Sequence, residues 1–380
     1  MFDLNDTQKL VQETARSYAQ KSLAPLAGQL DRERRFPRQQ LRELAELGLM
    51  GVNVPEALGG AEAGAVSYAL AMIEISQGCA STAVTLAVNN MVAETITKFG
   101  SDAVKQRYVP EITSGRFAAA SFGLSESHAG SDAAGLKTSA RRDGDGWVVN
   151  GSKQWITSGD VAGVIVVWAR TATVEDAAAK GISCFLVEAG QRGLHVGRHE
   201  EKMGLRASST VSLTFEDLRV PADRLLGVEG QGFAIAMSAL DGGRIGIASQ
   251  ATGIGTAALA ASVRYAKDRK AFGKPIGEFQ AIRFQLANVA TDLDAGRLLT
   301  LRAAGLKEAG RPFTREGSMA KVFASEAANR ACQVAVQVHG GYGYIDEFPV
   351  ERHYRDARVT TIYEGTSEIQ RLVIAREVLK

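Results

Sequence analysis

At 380 residues the chain is longer than one simple core requires, and a prior of roughly 100–200 residues per domain points to two or three domains. Apolar residues make up 45% and charged residues 23%, a balance that excludes a disordered chain. Lysine plus arginine (44) nearly cancels aspartate plus glutamate (42), so no bulk field draws nucleic acid or acidic lipid, and any anionic ligand must be held by local groups.

The N-terminal residues Met1-Phe2-Asp3-Leu4-Asn5-Asp6 carry neither a basic leader nor an Arg-rich presequence. No uncharged stretch approaches the ~20 apolar residues of a membrane span. The expected location is the cytoplasm, or the mitochondrial matrix for a processed form. Helical pattern starts at once. Asn5 and Gln8 are spaced as a capping box, and Leu10, Val11, Thr14, Ala15 and Tyr18 recur at helical spacing. Pro37 opens a segment with Leu41, Leu44, Ala45 and Leu47 on one face, Gly48 ends it, and Val66 to Ile75 and Thr82 to Phe99 continue the pattern.

From about Ala118 short apolar runs alternate with turn residues. Trp147-Val148-Val149 and Gln154-Trp155-Ile156 flank Asn150-Gly151, a hairpin-turn signal, and Val164 to Trp168, Ile182 to Val187 and Val211 to Phe215 read as further strands. Pro221 closes this β module. Beyond Gln231 long Ala/Leu-rich helices return, broken near Lys270 to Gly277 and at Gly340 to Phe348. The expected fold class is α+β, with an N-terminal helical domain (1–117), a middle β domain (118–226) and a C-terminal helical domain (227–380).

Three cysteines, Cys79, Cys184 and Cys332, and five scattered histidines show no ligand spacing, so neither a metal site nor a disulfide framework is expected, and a reducing compartment fits. Gly253-Ile254-Gly255-Thr256-Ala257-Ala258 satisfies a loose dinucleotide pattern, but no strand leads into it. The segment Arg355 to Gln370 is the most informative. Ser367 to Gln370 spell a capping box before a terminal helix, which leaves Glu364 just ahead of a helix start. With Ile362 and Tyr363 on one side and Gly365 on the other, its carboxylate could reach a partly desolvated cleft as a base, or it could be a loop glutamate on the surface.

Ile362-Tyr363-Glu364-Gly365-Thr366-Ser367-Glu368-Ile369-Gln370 resembles the catalytic signature of the acyl-CoA dehydrogenases. Leu124 to Asp132 and Gly151 to Thr157 resemble the family's two flavin loops. Asp268 to Ile276 with Gln280, Gln337 to Gly343, Gly78 to Thr82, and Leu240-Asp241 through Gln250 extend the resemblance over essentially the whole length. It implies a β-barrel or sandwich in the middle domain, a four-helix bundle at the C-terminus, and FAD as cofactor.

The resemblance also assigns residues. Phe122, Leu124, Ser125, Ser131, Trp155, Ile156 and Thr157 would hold the flavin, with Trp155 over one ring face, and Thr366, Ser367 and Glu368 would complete that site. Arg269, Phe272 and Gln280, with Gln337, Val338, His339, Gly340 and Gly341, would complete the FAD site of a neighbouring subunit, so a homotetramer built as a dimer of dimers is implied. Asp241 and Arg244 would grip the CoA moiety, with Ser131, Tyr363 and Gly365 also touching substrate; alone they would read as a surface i,i+3 ion pair.

Glu364 would take the proton α to the thioester. Relatives of the isovaleryl and long-chain type carry their base at the place of Gly243, which leaves Glu364 as the candidate here. Gly78 to Thr82 with Val88-Asn89-Asn90, and Asp241 to Gln250, are similar to the short-chain (butyryl-type) enzymes, and Ala80 to Leu86 lacks the arginine of glutaryl-CoA enzymes. The implied reaction converts a short-chain acyl-CoA to the trans-2-enoyl-CoA, with electrons passed to an electron-transfer flavoprotein. An acyl-CoA oxidase, a branched- or medium-chain dehydrogenase, and a redox-silent binding relative are the alternatives. One departure stands out: Ser127-His128 occupies the place of the family's usual Pro-Gly.

Overall fold

Asn5 caps the first helix as its spacing predicts: Asn5 Oδ1 accepts from the Gln8 amide at 2.8 Å, and Gln8 Oε1 accepts from the Asn5 amide at 3.1 Å. The computed structural model describes residues 3–172 and 178–380; Met1 and Phe2, part of the N-terminal reading above, and segment 173–177 lie outside the described residues. Helix α1 (Asp6–Tyr18) runs through a π-helical turn into α2 (Ala24–Glu33), followed by α3 (Arg38–Glu46), α4 (Gly64–Gly78), α5 (Ala80–Phe99) and α6 (Asp102–Thr113). Helices α4 and α5 are apolar around most of their circumference and are buried accordingly. The side chain of Asn90 accepts from the Val52 amide and donates to the Leu49 and Leu86 carbonyls, while Asn89 Oδ1 accepts from the Ala120 amide at 2.7 Å. These buried amides fix α5 against the chain on both sides, including the first strand of the β module.

That module contains β1 (Ala119–Gly123), β2 (Ser139–Asp143), β3 (Gly146–Thr157), β4 (Ala162–Arg170), β5 (Ile182–Glu188), β6 (Leu194–His199), β7 (Thr210–Pro221) and β8 (Leu225–Leu226). Their order is β6-β7-β3-β2-β4-β5-β8, with β1 also pairing β4 in parallel. Among the described residues the strand pairing that joins the half containing β3 and β7 to the half containing β4 and β5 is Ser139–Arg170. The two halves face each other as a sandwich. Ile165, Val167 and Ala169 of β4 pack inward with Trp147, Val149, Phe185 and Phe215, whereas Val164, Val166 and Trp168 point out to the helices, packing with Val92, Ile96, Ile112 and Ile235. A strand covered on both faces must be apolar at every position, which explains the unbroken run from Val164 to Trp168.

Asn150-Gly151 is not a turn. The chain reverses at Gly144-Asp145 between β2 and β3, and Asn150-Gly151 continues β3 opposite a bulge in β7, where Asp217, at φ +47°, is the extra residue and its amide donates to Asn150 Oδ1 at 2.9 Å. A second shift, between Lys153 and Ile156, puts an extra residue on β3 itself, next to Trp155.

Helix α7 (Gly232–Asp268) begins under β4, where Trp168 Nε1 donates to the Gly232 carbonyl at 2.7 Å. It is followed by the small hairpin β9 (Lys270–Ala271) and β10 (Lys274–Pro275), then α8 (Gln280–Glu308), α9 (Thr314–His339), α10 (Val350–Arg358) and α11 (Ser367–Val378). Helices α7, α8 and α9 pack on one another, α11 lies on α9, and α4 packs across α7. The glycines of the dinucleotide-like segment serve these packings: a Cβ at Gly253 would stand 2.3 Å from the Ile73 carbonyl oxygen of α4, and one at Gly255 would stand 2.4 Å from Leu293 of α8. Helix α10 is held to α2 by Arg355, paired with Asp31 and Glu351 at 2.7 Å, and the Asp356 carboxylate accepts from the Leu205 amide at 2.6 Å. Among the described residues no helix is long and apolar enough to cross a membrane, and no group of three or more His, Cys, Asp or Glu side chains could hold a metal ion.

Candidate active site

A cleft of about 1970 Å³ opens where the β module meets α5, α7 and the C-terminal helices. It gathers, from segments far apart in sequence, Phe122, Leu124, Ser125, Ser131, Trp155, Thr157, Asp241, Arg244, Tyr363, Glu364, Gly365 and Thr366.

The chain before α11 puts Glu364 on the cleft wall by a local device. Glu364 and Gly365 both adopt left-handed backbone, at φ +54° and +88°. Glycine takes that conformation freely; glutamate takes it only at a cost of order 1–2 kcal/mol, which neighbouring contacts must offset. Two buried side chains supply them: Lys321 Nζ donates to the Gly365 carbonyl at 2.7 Å, and Gln370 Nε2 donates to the Glu364 and Gly365 carbonyls at 3.1 and 3.0 Å. The helix cap is therefore not the Ser367–Gln370 box expected from sequence. Thr366 is the cap, its Oγ1 accepting from the Ile369 amide at 3.3 Å, because the Gln370 side chain is turned back to the preceding loop.

The Glu364 carboxyl points toward α7 and α5. A Cβ at Gly243 would stand 2.5 Å from its Oε2 and 3.2 Å from Met91 Sδ, so the missing side chain at 243 is the space the carboxyl uses. Glu364 Oε2 is withdrawn from solvent and has no hydrogen-bond partner among the described residues. Burial pushes the carboxyl up to about 7, against the opposing pull of the Lys321 and Arg244 charges. Of the other acids of the cleft, Asp132 is exposed on the first flavin-like loop and the rest are engaged: Asp241 with Arg244 and Thr314, Glu316 with Arg315 and Arg302, Glu377 with Lys380, Glu200 with Gln154, and Glu201 with Arg34. Arg244 is only 5% exposed, so the Asp241–Arg244 pair is no surface bridge; it is built into the cleft floor beside Glu364. Next to Glu364 the cleft has an apolar wall of Val84, Ala87, Val88 and Met91 of α5 and Leu240 and Ile247 of α7. The α5 residues recur at helical spacing, one face of one helix.

The two candidate flavin loops are stitched together from beneath. Lys153, fully buried, donates to Glu126 Oε1 at 2.8 Å and to the Leu124 carbonyl at 3.1 Å, and Glu126 also accepts from the amides of Lys137 and Thr138 at 2.7 and 2.9 Å. The Gln154 amide donates to the Ser125 carbonyl at 2.9 Å, and Ser121 Oγ donates to the Thr157 carbonyl at 2.7 Å. The Lys153 charge holds Glu126 down at about 2 despite burial. His128, at the family's departure, stands 3.5 Å from Glu126 on the outer side of this loop. Trp155 is 61% exposed toward the cleft at φ +63°, an apolar face left open beside the hydroxyls of Ser125 and Thr157. A flat ring system with an apolar face and a polar edge fits that wall.

Not every expected residue reaches the cleft. The Ile156 side chain is buried in the sandwich core, so only its backbone can serve a ligand. Ser367 is turned inward by the first turn of α11, and Glu368 points to solvent. Arg269, Val338, His339, Gly340 and Gly341 line a separate shallow cavity of about 480 Å³ with Tyr265 and Tyr342, while Phe272 is 94% exposed at the tip of the β9–β10 hairpin and Gln280 and Gln337 are exposed nearby in the chain. Sequence reasoning missed Lys321 and Met91, gave Gln370 a capping role in place of its grip on the Glu364–Gly365 turn, and quoted Glu126 and Lys153 without giving them a task. Lys321 had a signal: it falls in phase with Ser325, Ala328 and Cys332 on the buried face of α9, where a lone lysine is out of place.

The sequence matches the acyl-CoA dehydrogenase N-terminal domain over residues 5–116, the middle domain over 121–218 and the C-terminal domain over 230–379. It is 52% identical over 379 residues to the mitochondrial short-chain specific acyl-CoA dehydrogenase of Bos taurus, covering 100% of this chain and 91% of that protein. The structure of butyryl-CoA dehydrogenase from Megasphaera elsdenii superposes with a TM-score of 0.97 at 41% identity, and a chain in the structure of the electron transferring flavoprotein of Acidaminococcus fermentans does so with 0.98 at 42%; each match covers 100% of both chains. With its helix–sheet–helix architecture and these matches along the full length, the chain belongs to the acyl-CoA dehydrogenase family, FAD-dependent flavoprotein oxidoreductases.

Proposed function

We propose that the protein dehydrogenates a short-chain acyl-CoA at the α,β position, with Glu364 as the base. The observation that carries this reading is the Glu364 carboxyl itself: unpaired at Oε2, buried, raised to about 7, and facing an apolar slot. A base with that affinity for protons is half ionised near neutral pH and still basic enough to accept one. The α-hydrogen of a saturated thioester is a very weak acid, so charge developing on the thioester oxygen must be met by a donor. Among the described residues the Glu364 amide donates to no acceptor in the chain, and it is suited to that oxygen. Arg244, beside Glu364 and anchored by Asp241, holds the substrate's CoA arm, and Ser131 contributes a hydroxyl on the opposite wall. The walls at Val84, Ala87, Val88, Met91 and Leu240 exclude water from the acyl chain.

Phe122, Leu124, Ser125, Trp155 and Thr157 would hold FAD, with the backbone of Ile156. With FAD bound there, the cofactor would supply the acceptor for the hydride lost from the β carbon, for onward transfer to an electron-transferring flavoprotein. Of the two hydrogens lost in forming the trans-2-enoyl thioester, Glu364 takes the one on the α carbon as a proton. Arg269, Gln280 and the Gln337–Gly341 turn lie apart from the cleft of their own chain, which supports their service to a neighbouring subunit in a homotetramer. A short-chain preference is supported by the bovine relative, and the absence of arginine from Ala80 to Leu86 argues against a substrate with a distal carboxylate.

Anaerobic titration of the flavin spectrum with saturated CoA thioesters tests the reading. Butyryl-CoA should bleach the flavin more effectively than octanoyl-CoA, and Glu364→Gln should bind both without bleaching. Near-normal turnover in that variant would reject Glu364 as the base.

A further inference from the structure

Lys321 has no task in the reaction as written, yet its ammonium is one of two buried cations whose field reaches Glu364. A buried ammonium costs several kcal/mol unless it is well partnered. Its hydrogen-bond partner is a neutral one, the Gly365 carbonyl at 2.7 Å, and among the described residues no carboxylate comes within ion-pair distance of it. The other cation, Arg244, is bound to the Asp241 carboxylate, which cancels much of its field at a distance. Lys321 is not neutralised in this way. The same ammonium touches the residue that follows Glu364 in the chain, so one side chain bears on both the placement of the base and its charge.

We infer that Lys321 is a positioning residue for Glu364: it holds the Glu364–Gly365 turn by its carbonyl and supplies the fixed positive charge that keeps the base ionised near neutral pH. The inference rests on Glu364 being the base. Gln370 grips the same turn without a charge, so the two effects can be separated. Groups that face the site from the surrounding elements are Tyr68 on α4, Arg244 with Asp241 on α7, Glu326 on α9, and Glu368 and Arg376 on α11. Of these, Tyr68 is neutral at working pH, raised by its burial, and the α11 charges lie at the solvent side. Lys321 itself is lowered to about 8 by burial, so it carries its charge through the range in which Glu364 ionises.

The test is the pH dependence of flavin reduction by butyryl-CoA in stopped flow, on FAD-loaded wild type, Lys321→Gln, Lys321→Arg and Gln370→Leu. The infrared band of the protonated Glu364 carboxyl, identified by its loss in Glu364→Gln, is followed over the same pH range. Removing a nearby opposite charge moves a carboxyl by about one unit or more. Lys321→Gln should therefore shift both midpoints upward by about one unit, slowing reduction roughly tenfold at pH 6.5 and little at pH 9. Lys321→Arg should restore both midpoints, and Gln370→Leu should slow reduction at every pH with the midpoints unmoved. Unmoved midpoints in Lys321→Gln overturn the inference, as does a Lys321→Gln protein that does not fold, since the charge then serves the fold. Turnover by Glu364→Gln would instead overturn the underlying choice of base.

Discussion

Gly243→Ala is the sharpest perturbation the site offers, because it adds one methyl group where the carboxyl of Glu364 now lies. The new Cβ would stand 2.5 Å from Oε2, and separations under 3.0 Å are essentially never seen, so the carboxyl must retreat by about 0.5 Å to reach even that limit. Met91 Sδ would lie 3.2 Å from the same Cβ, so α5 leaves the new methyl group little room to move away from the carboxyl. Reacting groups displaced by about 1 Å lose on the order of 100-fold in rate, or about 2.7 kcal/mol of barrier. A loss of roughly 10- to 100-fold in the rate of flavin reduction is expected. Stability should move the other way or hardly at all: alanine is favoured over glycine in a helix interior by about 0.5–1 kcal/mol, which offsets the local crowding. FAD content, melting temperature and the stopped-flow reduction rate with butyryl-CoA read the three quantities on one preparation. A variant that reduces its flavin within threefold of wild type would refute the claim that Gly243 exists to make room for the base. One that melts much lower would show the effect to be general damage.

Four other outcomes are expected. The rate of flavin reduction should rise with pH through about 7 as the Glu364 carboxyl ionises, and Glu364→Asp should slow it by withdrawing the carboxylate. Glu126→Gln leaves the Lys153 ammonium buried without its counter-ion, a change that costs about 3–5 kcal/mol in buried pairs; melting temperature and FAD retention should both fall. His353, held neutral by burial near Arg352 and Arg264, is lowered to about 3. Its stabilising effect is complete above about 6.5 and is lost as pH falls from there toward 3, and urea midpoints of His353→Gln should show a flatter acid limb. Arg269→Ala should weaken FAD retention without altering the cleft of its own chain, measured as flavin released on dilution.

Most of the architecture was legible because it rests on local pattern. The Asn5 capping box, the Gly48 stop and the return of helix beyond Gln231 all depend on residues adjacent in sequence. The sheet was harder. Asn150-Gly151 has the composition of a turn, and only its pairing with β2 on one side and β7 on the other makes it part of a continuous strand. The cap of α11 was misplaced by one residue because Gln370 is claimed by the carbonyls of Glu364 and Gly365, a contact that local spacing does not reveal. Glu364 could be singled out from its motif, but its burial and its opposition to Gly243 depend on helices α5, α7 and α9 meeting there. The tasks of Met91 and the Glu126–Lys153 pair are likewise long-range, and for Lys321 the sequence marks a lysine on an otherwise buried helix face without showing which carbonyl it holds.

Strand β4 has a consequence for how the enzyme tolerates change. Its even-numbered side chains are shared with α5 and α7, the helices that form the apolar wall of the cleft, and its odd-numbered ones with β3, the strand that bears Trp155. The apolar wall and the Trp155 face are thus referenced to one backbone. A swap such as Val166→Leu, remote from every reacting atom, should be felt as a change in which thioester the protein prefers before it is felt as unfolding.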